Sequence, residues 1–559
     1  MKIFKPTILL TLHICMMGIE ATAHDIAVLN NDGVNIYYNI WENTLSVTYS
    51  GSTPNWYPNE YTGSVVIPET VTYNGTTYSV TSISNDAFFG CYGLISVTIP
   101  NSIKFIGSGA FGGCSSLINI TIPNSVKGIG SDTFSGCSSM TNAVIGDSVT
   151  NIGHDAFNGC SSLREVKIGN SVTRIQSDAF RYCSNLTTVN IPNSVTCIER
   201  RAFSDTGIYM NSSDGVFYVG NWACGYKGTM PPNDTLYLQE GIRGIADEAF
   251  NNLQNLESVI LPNSVMSIGD GAFMNCSSLT SATLSNSVNS IGSGAFYSCS
   301  GLTDLIIPNS VTSIGNRAFN GCSSLTNMTI GSLVTNIGSE TFYGCSALTS
   351  IKVQIDDISS FCNNAVVGLI KSSFGKSVLL IDENGNEIHE ISIPADVTSI
   401  GDQAFQNCTG LFSVIMSNSV TSIGKYAFSN CSLTSIIIGK SMTNIGDYAF
   451  QSNSDLSNIY CYAEQIPVAS SSTFSLCNIS SATLHVPATA LSLYQETSPW
   501  KKFGSIVALT DEDPNPSIIN DYRCAEGLVN TPIYDFGGRK LIAPQKGVNI
   551  INGKKVLVK

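Results

Sequence analysis

The feature that most restricts how this chain can fold is a strict period of 23 residues. Phenylalanines preceded by Ala or Thr fall at Phe88, Phe111, Phe134, Phe157, Phe180 and Phe203. The register resumes at Phe250, Phe273, Phe296, Phe319 and Phe342, and again at Phe405, Phe428 and Phe450, with a last Phe-x-x-Cys at Phe474. Fixed self-similarity over fifteen phases is the mark of a repeat array rather than of a domain with a central core, and it explains how 559 residues fold without one.

The repeat reads V-T-x-I-G-x-x-A-F-x-x-C-S-x-L-x-x-V-x-I-P-N-S, nearly complete from Val311 to Ile330. Leu94, Val97 and Ile99 alternate at their end as a half-buried strand does, and Pro100-Asn101-Ser102 ends it, because proline lacks the N–H a ladder needs and Asn and Ser bond their own backbone. A second short strand carries Ile103 and Ile106, and Gly107 closes it. Ser108 to Cys114, with Ala110, Phe111 and Cys114 on one edge, is expected to form one helical turn. A coil this short buries its apolar side chains only by stacking on the next, which pairs the strands in parallel.

These residues resemble the BspA-type leucine-rich-repeat family of bacterial surface proteins, whose repeat is this A-F-x-x-C-x-x-L pattern. The resemblance implies a leucine-rich-repeat solenoid, a β-rich α/β fold of parallel strands and short helical turns, continuous over residues 65–487. It also implies binding rather than catalysis, to host matrix proteins or other cells.

The rest of the chain fits an exported protein. Residues 1–23 read as a cleaved signal peptide, with Lys2 and Lys5, an apolar run from Thr7 to Gly18, and the small-x-small site Ala21-Thr22-Ala23. Leu12-His13-Ile14 before Cys15 lacks the small residue of a lipid-anchor signal. Residues 24–64 alternate without the period and are expected to form a β cap over the first coil. Insertions are expected near 204–240, with a hairpin around Gly215–Trp222, and near 350–390, with an Asn-Gly turn at Asp382–Asn386 between strands Val378–Ile381 and Glu387–Ile393. Residues 488–510 should cap the end, and acidic, proline-bearing 511–517 reads as a linker.

Residues 518–559 read as a small β module. From Tyr534 to Lys559 six basic residues face one acid, a net +5, against −20 for residues 24–533. Three short strands are expected there. The segment resembles the C-terminal sorting segments of Bacteroidetes exported proteins, which implies display on the outer face of a Gram-negative cell; an ordinary β cap is the alternative. No other segment is apolar for long enough to span a membrane.

Without residues 1–23 the formal charge is −15, which opposes nucleic acid and anionic lipid as partners. Twelve of the 18 cysteines share one repeat position, from Cys91 to Cys477. Bridges would leave each sulfur two equivalent neighbours, and Leu253 and Asn453 fill the same slot, so buried thiols are expected; no Cys-x-x-Cys or nearby histidine completes a metal site. Cys197, Cys224, Cys362, Cys461 and Cys524 lie off this row. His24, His154, His389 and His485 are scattered, and no serine sits in a nucleophile elbow. Threonines Thr150, Thr173, Thr196, Thr312, Thr335, Thr398, Thr421 and Thr443 form an outward ladder suited to an exposed strand, with the binding of an ordered lattice such as crystalline polysaccharide or ice as the alternative, while Trp41, Trp56, Trp222 and Trp500 fall outside the regular coils.

The sequence singles out no catalytic, cofactor-binding or metal-binding residue and assigns no ligand-binding residue. It points to an extracellular protein as ligand, with a glycan as the alternative, bound by a secreted or surface-displayed adhesin.

Overall fold

A computed structural model describes residues 24–30, 32–50, 60–363, 366–375, 377–514 and 516, and four tail strands. Residues 1–23, read as a signal peptide, and Trp56 and Cys524 lie outside the described residues. The chain divides into two compact units, residues 1–354 with 369–377, and residues 355–368 with 378–559.

In the first unit the N-terminal alternation produces an antiparallel meander of Ile26–Leu29, Asn35–Trp41 and Thr44–Thr48. Its third strand runs parallel to Thr76–Ile83 and so covers the edge of the first coil. Most coils then contribute a long and a short strand, while the coil at Leu186 contributes only the short Cys197–Ile198. Asn119–Ile122, Asn142–Ile145 and Glu165–Lys167 pair in parallel with partners 23 residues apart, as do Gly128–Ile129, Asn151–Ile152 and Arg174–Ile175 on the second side. Between coils the glycine of each Ile-Gly pair admits no side chain: a Cβ on Gly130 would lie 2.8 Å from Ser108 N.

The third side departs from expectation. Ser108–Cys114 is not helical, because Gly109 and Gly113 adopt left-handed backbone with φ of 64° and 74°. Asp132 and Gly136, then Asp155 and Gly159, repeat this in the next two coils. Right-handed helix cannot propagate through such residues. Gly112 N and Cys114 N bond back three residues, while Gly109 N, Phe111 N and Gly113 N donate to Ser131 O, Thr133 O and Ser135 O of the next coil at 2.7–2.8 Å. Alternate amides therefore build a third parallel ladder. Gly, Asp and Asn recur at these positions because they tolerate left-handed backbone at least cost.

Inside, the phenylalanines form a stack. From Phe88 to Phe203 successive ring centroids are 4.8–5.3 Å apart with planes within 17°, and all are buried. Tyr61, from the segment read as part of the cap, continues the row above Phe88 at 4.5 Å and donates its hydroxyl to Thr48 O.

The first break holds the expected hairpin, Gly215–Val219 against Trp222–Lys227, preceded by a helix, Gly207–Asn211. Lys227 Nζ ties the two together by donating to Tyr209 O, Met210 O and Ser212 O at 2.6–3.1 Å, the last carbonyls of that helix.

The second break contains helices that its sequence did not suggest, Ile358–Phe361 capped by Asp357 and Val366–Phe374. The turn at Asp382 is present, its carboxylate accepting from Asn384 N and Asn386 N. The hairpin around it is a single bridge, Ile381 to Glu387, because Glu390–Ile393 instead joins the parallel ladder to Ser413–Met416.

In the second unit the long strands Glu390–Ile393, Ser413–Met416, Ser435–Ile438, Asn458–Cys461, Thr483–Val486 and Ser505–Ala508 form one sheet. Trp500, fully buried, closes its core between Phe474, Tyr494 and Phe503 and donates to Pro467 O at 3.3 Å. The tail forms an antiparallel sheet of four strands, not three: Lys540–Leu541, Ile533–Asp535, Gly547–Ile551 and Lys554–Val558 in that spatial order.

Candidate binding surface

The residues with the most chemical potential are held in structural roles. Cys114, Cys137, Cys160 and Cys183 each point their thiol at the carbonyl of the phenylalanine one coil back, at 3.1–3.2 Å. Asn453, in the same slot, donates to the equivalent Phe428 O at 2.9 Å. Where Cys or Asn fills the slot it is a small donor as well as a small residue, and Leu253 is the exception that fills it without one. All sixteen described cysteines are unbridged, and burial pushes up the thiols of Cys91, to about 11, and Cys276, to about 12.

The histidines occupy four separate settings. His24 Nδ1 lies 3.0 Å from Ser50 O, His389 stacks on Phe412 at 5.1 Å, and His485 stacks on Tyr460 at 4.3 Å. His154 is half exposed, 2.7 Å from Asp155, and Asp178 lies close enough to make a three-residue cluster. Arg181 and Arg201 reach Asp178 at 3.3 and 3.2 Å, so guanidinium groups already balance its charge.

The threonine ladder is likewise committed. Thr150, Thr173, Thr196, Thr312 and Thr335 donate their hydroxyls to the carbonyl one coil back at 3.1–3.2 Å. That hydrogen is not offered to a ligand, as the structural reading of this ladder requires.

What the first unit does offer is the outward face of its second run of long strands. Along Asp234–Tyr237, Leu256–Ile260, Ser281–Thr283, Asp304–Ile307, Asn327–Gly331 and Ser350–Gln354, alternation sends Leu236, Val259 and Leu305 inward. Tyr237, Ile260, Thr283, Ile306, Thr329 and Lys352 face out, and Tyr237 and Ile306 are 69% and 66% exposed. The ladder between Ser281–Thr283 and Asp304–Ile307 stops after Ala282 and Leu305. The strands part there, opening a groove of about 650 Å3 lined by Thr283, Asp304, Ile306, Pro308, Asn309 and Gln354 among others.

Beside the first break a shallower dip of about 280 Å3 gathers Trp222, Ile245, Arg174, Asp247 and Asp270. Burial raises the Asp247 carboxyl to about 7; the Asp270 N–H bonded to it at 2.8 Å pulls it down, Asp270 and Glu199 charges raise it, and Arg174 lowers it. Sequence reasoning missed both features, since each depends on where a ladder ends or on residues from distant coils.

Among solved structures, the chain is similar to a leucine-rich cell surface protein from Faecalibacterium prausnitzii A2-165, at 29% identity over 59% of this chain and 95% of that one, TM-score 0.28. It is also similar to a leucine-rich repeat protein from Bacteroides ovatus at 24% identity over 85% and 98%, TM-score 0.27, and to the pneumococcal vaccine antigen PcpA at 21% over 64% and 99%, TM-score 0.31. No curated protein matches the chain. No helix of the described residues is long and apolar enough to cross a membrane. The family model for the BspA type leucine rich repeat region matches residues 81–209, 237–369 and 383–495, more than half of the chain, on the coils, phenylalanine stack and cysteine row described above. The chain belongs to the BspA-type leucine-rich-repeat family.

Proposed function

We propose that this protein is exported through residues 1–23, displayed at the cell surface through its C-terminal module, and acts there as an adhesin that binds an extracellular protein without catalysing a reaction. The observation that carries this is the outward row Tyr237, Ile260 and Ile306 beside the groove at Thr283. Large apolar side chains in register on a sheet, rimmed by Asp304, Asn327 and Lys352, have the composition of a protein-recognition patch. The strands beneath belong to one parallel sheet, with Asp234–Tyr237 at its edge, so little ordering cost is left for binding. The net charge of −14 opposes nucleic acid as ligand.

The test is a panel of immobilised matrix proteins and glycans probed with the full chain and with Tyr237→Ala and Ile306→Asp. Loss of at least about ten-fold in affinity for a protein ligand, with unchanged circular dichroism, is the expected result; binding untouched by both substitutions refutes it.

A glycan reading draws support from one pair in the second unit. Tyr426 and Tyr448 stack at the surface 5.0 Å apart with planes 6° from parallel, and Lys425 Nζ lies 5.3 Å from the Tyr426 ring. Both have left-handed backbone, φ 58° and 59°, where Asp or Gly stands in many other coils, so bulky rings are held at a backbone cost. Loss of glycan signal in Tyr448→Ala with protein binding intact would favour this reading.

A further inference from the structure

In the second unit the outward face of the long-strand sheet is not open. Register places Ile437, Tyr460, His485 and Val507 in one outward row, between the inward residues Ile459, Cys461, Leu484 and Val486. Residues facing the same way in the first unit are widely exposed, yet Tyr460, stacked on His485, is only 4% exposed. The segment read in the sequence as a linker lies on this face, at His485 and Tyr462. Leu509 extends the last strand by donating to Val486 O at 2.8 Å. The chain then turns, with Asp513 N on Thr510 O and Asp513 Oδ2 accepting from Thr510 N at 2.7 Å and from its hydroxyl at 3.1 Å.

The returning arm is held by side chains of that face. Asp513 Oδ1 lies 3.6 Å from His485 Nδ1, and Tyr462 donates its hydroxyl to Pro514 O at 2.9 Å. Proline has no N–H, so its carbonyl is the one backbone group that needs a partner, and a tyrosine hydroxyl supplies it without requiring a strand partner. Asp511 and Glu512 remain exposed at the rim. The segment is therefore bound as a ligand would be: an acid on an imidazole, a proline carbonyl on a phenol, and an aromatic stack beneath.

We infer that Tyr460, Tyr462 and His485 form a recognition site for acidic, proline-containing peptide segments, and that Thr510–Pro514 occupies it in cis. The partner is an exposed acidic stretch carrying Asp-Pro in another protein. The tethered segment competes with it at an effective concentration of about millimolar for a short connection, so the site is masked until the segment is displaced. This site lies in a different unit from the row at Ile306, and its failure leaves the adhesin reading untouched.

The experiment uses the full chain, wild type and with Asp513→Ala and Pro514→Gly together, and a fluorescent peptide Leu-Thr-Asp-Glu-Asp-Pro read by anisotropy. Hydrogen exchange at Leu509–Asp513 reports whether the segment has opened. The opened variant is expected to bind the peptide at least about ten-fold more tightly than wild type. Adding Tyr462→Phe or His485→Ala should reverse most of that gain, and a peptide with Asn in place of both Asp residues should bind weakly. An opened variant that ignores the peptide, equal binding of the Asn peptide, a segment that stays protected in the double variant, or a dimer formed by exchanged segments would each overturn the inference.

Discussion

Replacing Phe157 by Ala tests the internal stack most directly. The side chain is fully buried, and its ring lies 5.1 Å from Phe134 and 5.2 Å from Phe180. Truncating a buried phenylalanine costs about 3–5 kcal/mol, and each stacked neighbour contributes about 0.5–1.5 kcal/mol beyond burial. With two such neighbours the cost should fall in the upper half of that range. Phe157→Leu keeps most of the apolar volume and loses both ring contacts, so about 1–3 kcal/mol is expected from the stacking alone. His154, three residues earlier, points outward, half exposed beside Asp155; His154→Ala should cost under about 1 kcal/mol. Urea unfolding followed by circular dichroism gives the three values, and hydrogen exchange at Phe134, Phe157 and Phe180 locates the loss. If Phe157→Ala and His154→Ala differ by less than about 1 kcal/mol, the assignment of inward and outward faces is wrong.

Three further outcomes follow from the same structure. Cys160→Ala removes the thiol from Phe134 O, which keeps the Cys137 N–H at 3.2 Å, and should cost about 0.5–1.5 kcal/mol for the lost bond, whereas Cys160→Ser keeps a donor and should cost clearly less; equal costs in urea unfolding would reduce the slot to a matter of size. The Asp247 carboxyl is raised from 3.8 to about 7, so its neutral form suits the fold, and stability is fullest below about pH 4 and falls as pH rises through 7. Asp247→Asn, which retains an oxygen for Asp270 N, should therefore raise the melting temperature at pH 8 and change little at pH 4; a variant no more stable at pH 8 contradicts this. Deleting Tyr534–Lys559 should abolish surface exposure by protease shaving in the native host while purified protein still binds its ligand, and unchanged display would make the tail a structural cap.

Much of this was legible in the sequence because a 23-residue period states directly which side chains face in. Phe88 to Phe474 and the cysteine row follow from spacing, and the hairpin at Gly215–Trp222 from alternation between turn residues. Backbone conformation was not legible in the same way. Ser108–Cys114 carries a helix-like pattern of apolar residues, yet its alternate amides find partners in the following coil, and a bond between residues 22 apart leaves no local trace.

For the same reason neither the place of Tyr61 at the head of the phenylalanine row nor the helices of the second break leave a periodic trace in the sequence. Asp511–Pro514 has the composition of a linker, and only the fold brings Tyr462 and His485 from two successive coils to hold it. The groove at Thr283 depends on where one ladder stops. Periodicity determined the coil, its buried rows and its ends; contacts between coils decided the turns and the surfaces, because there the energy lies in pairings that no single repeat contains.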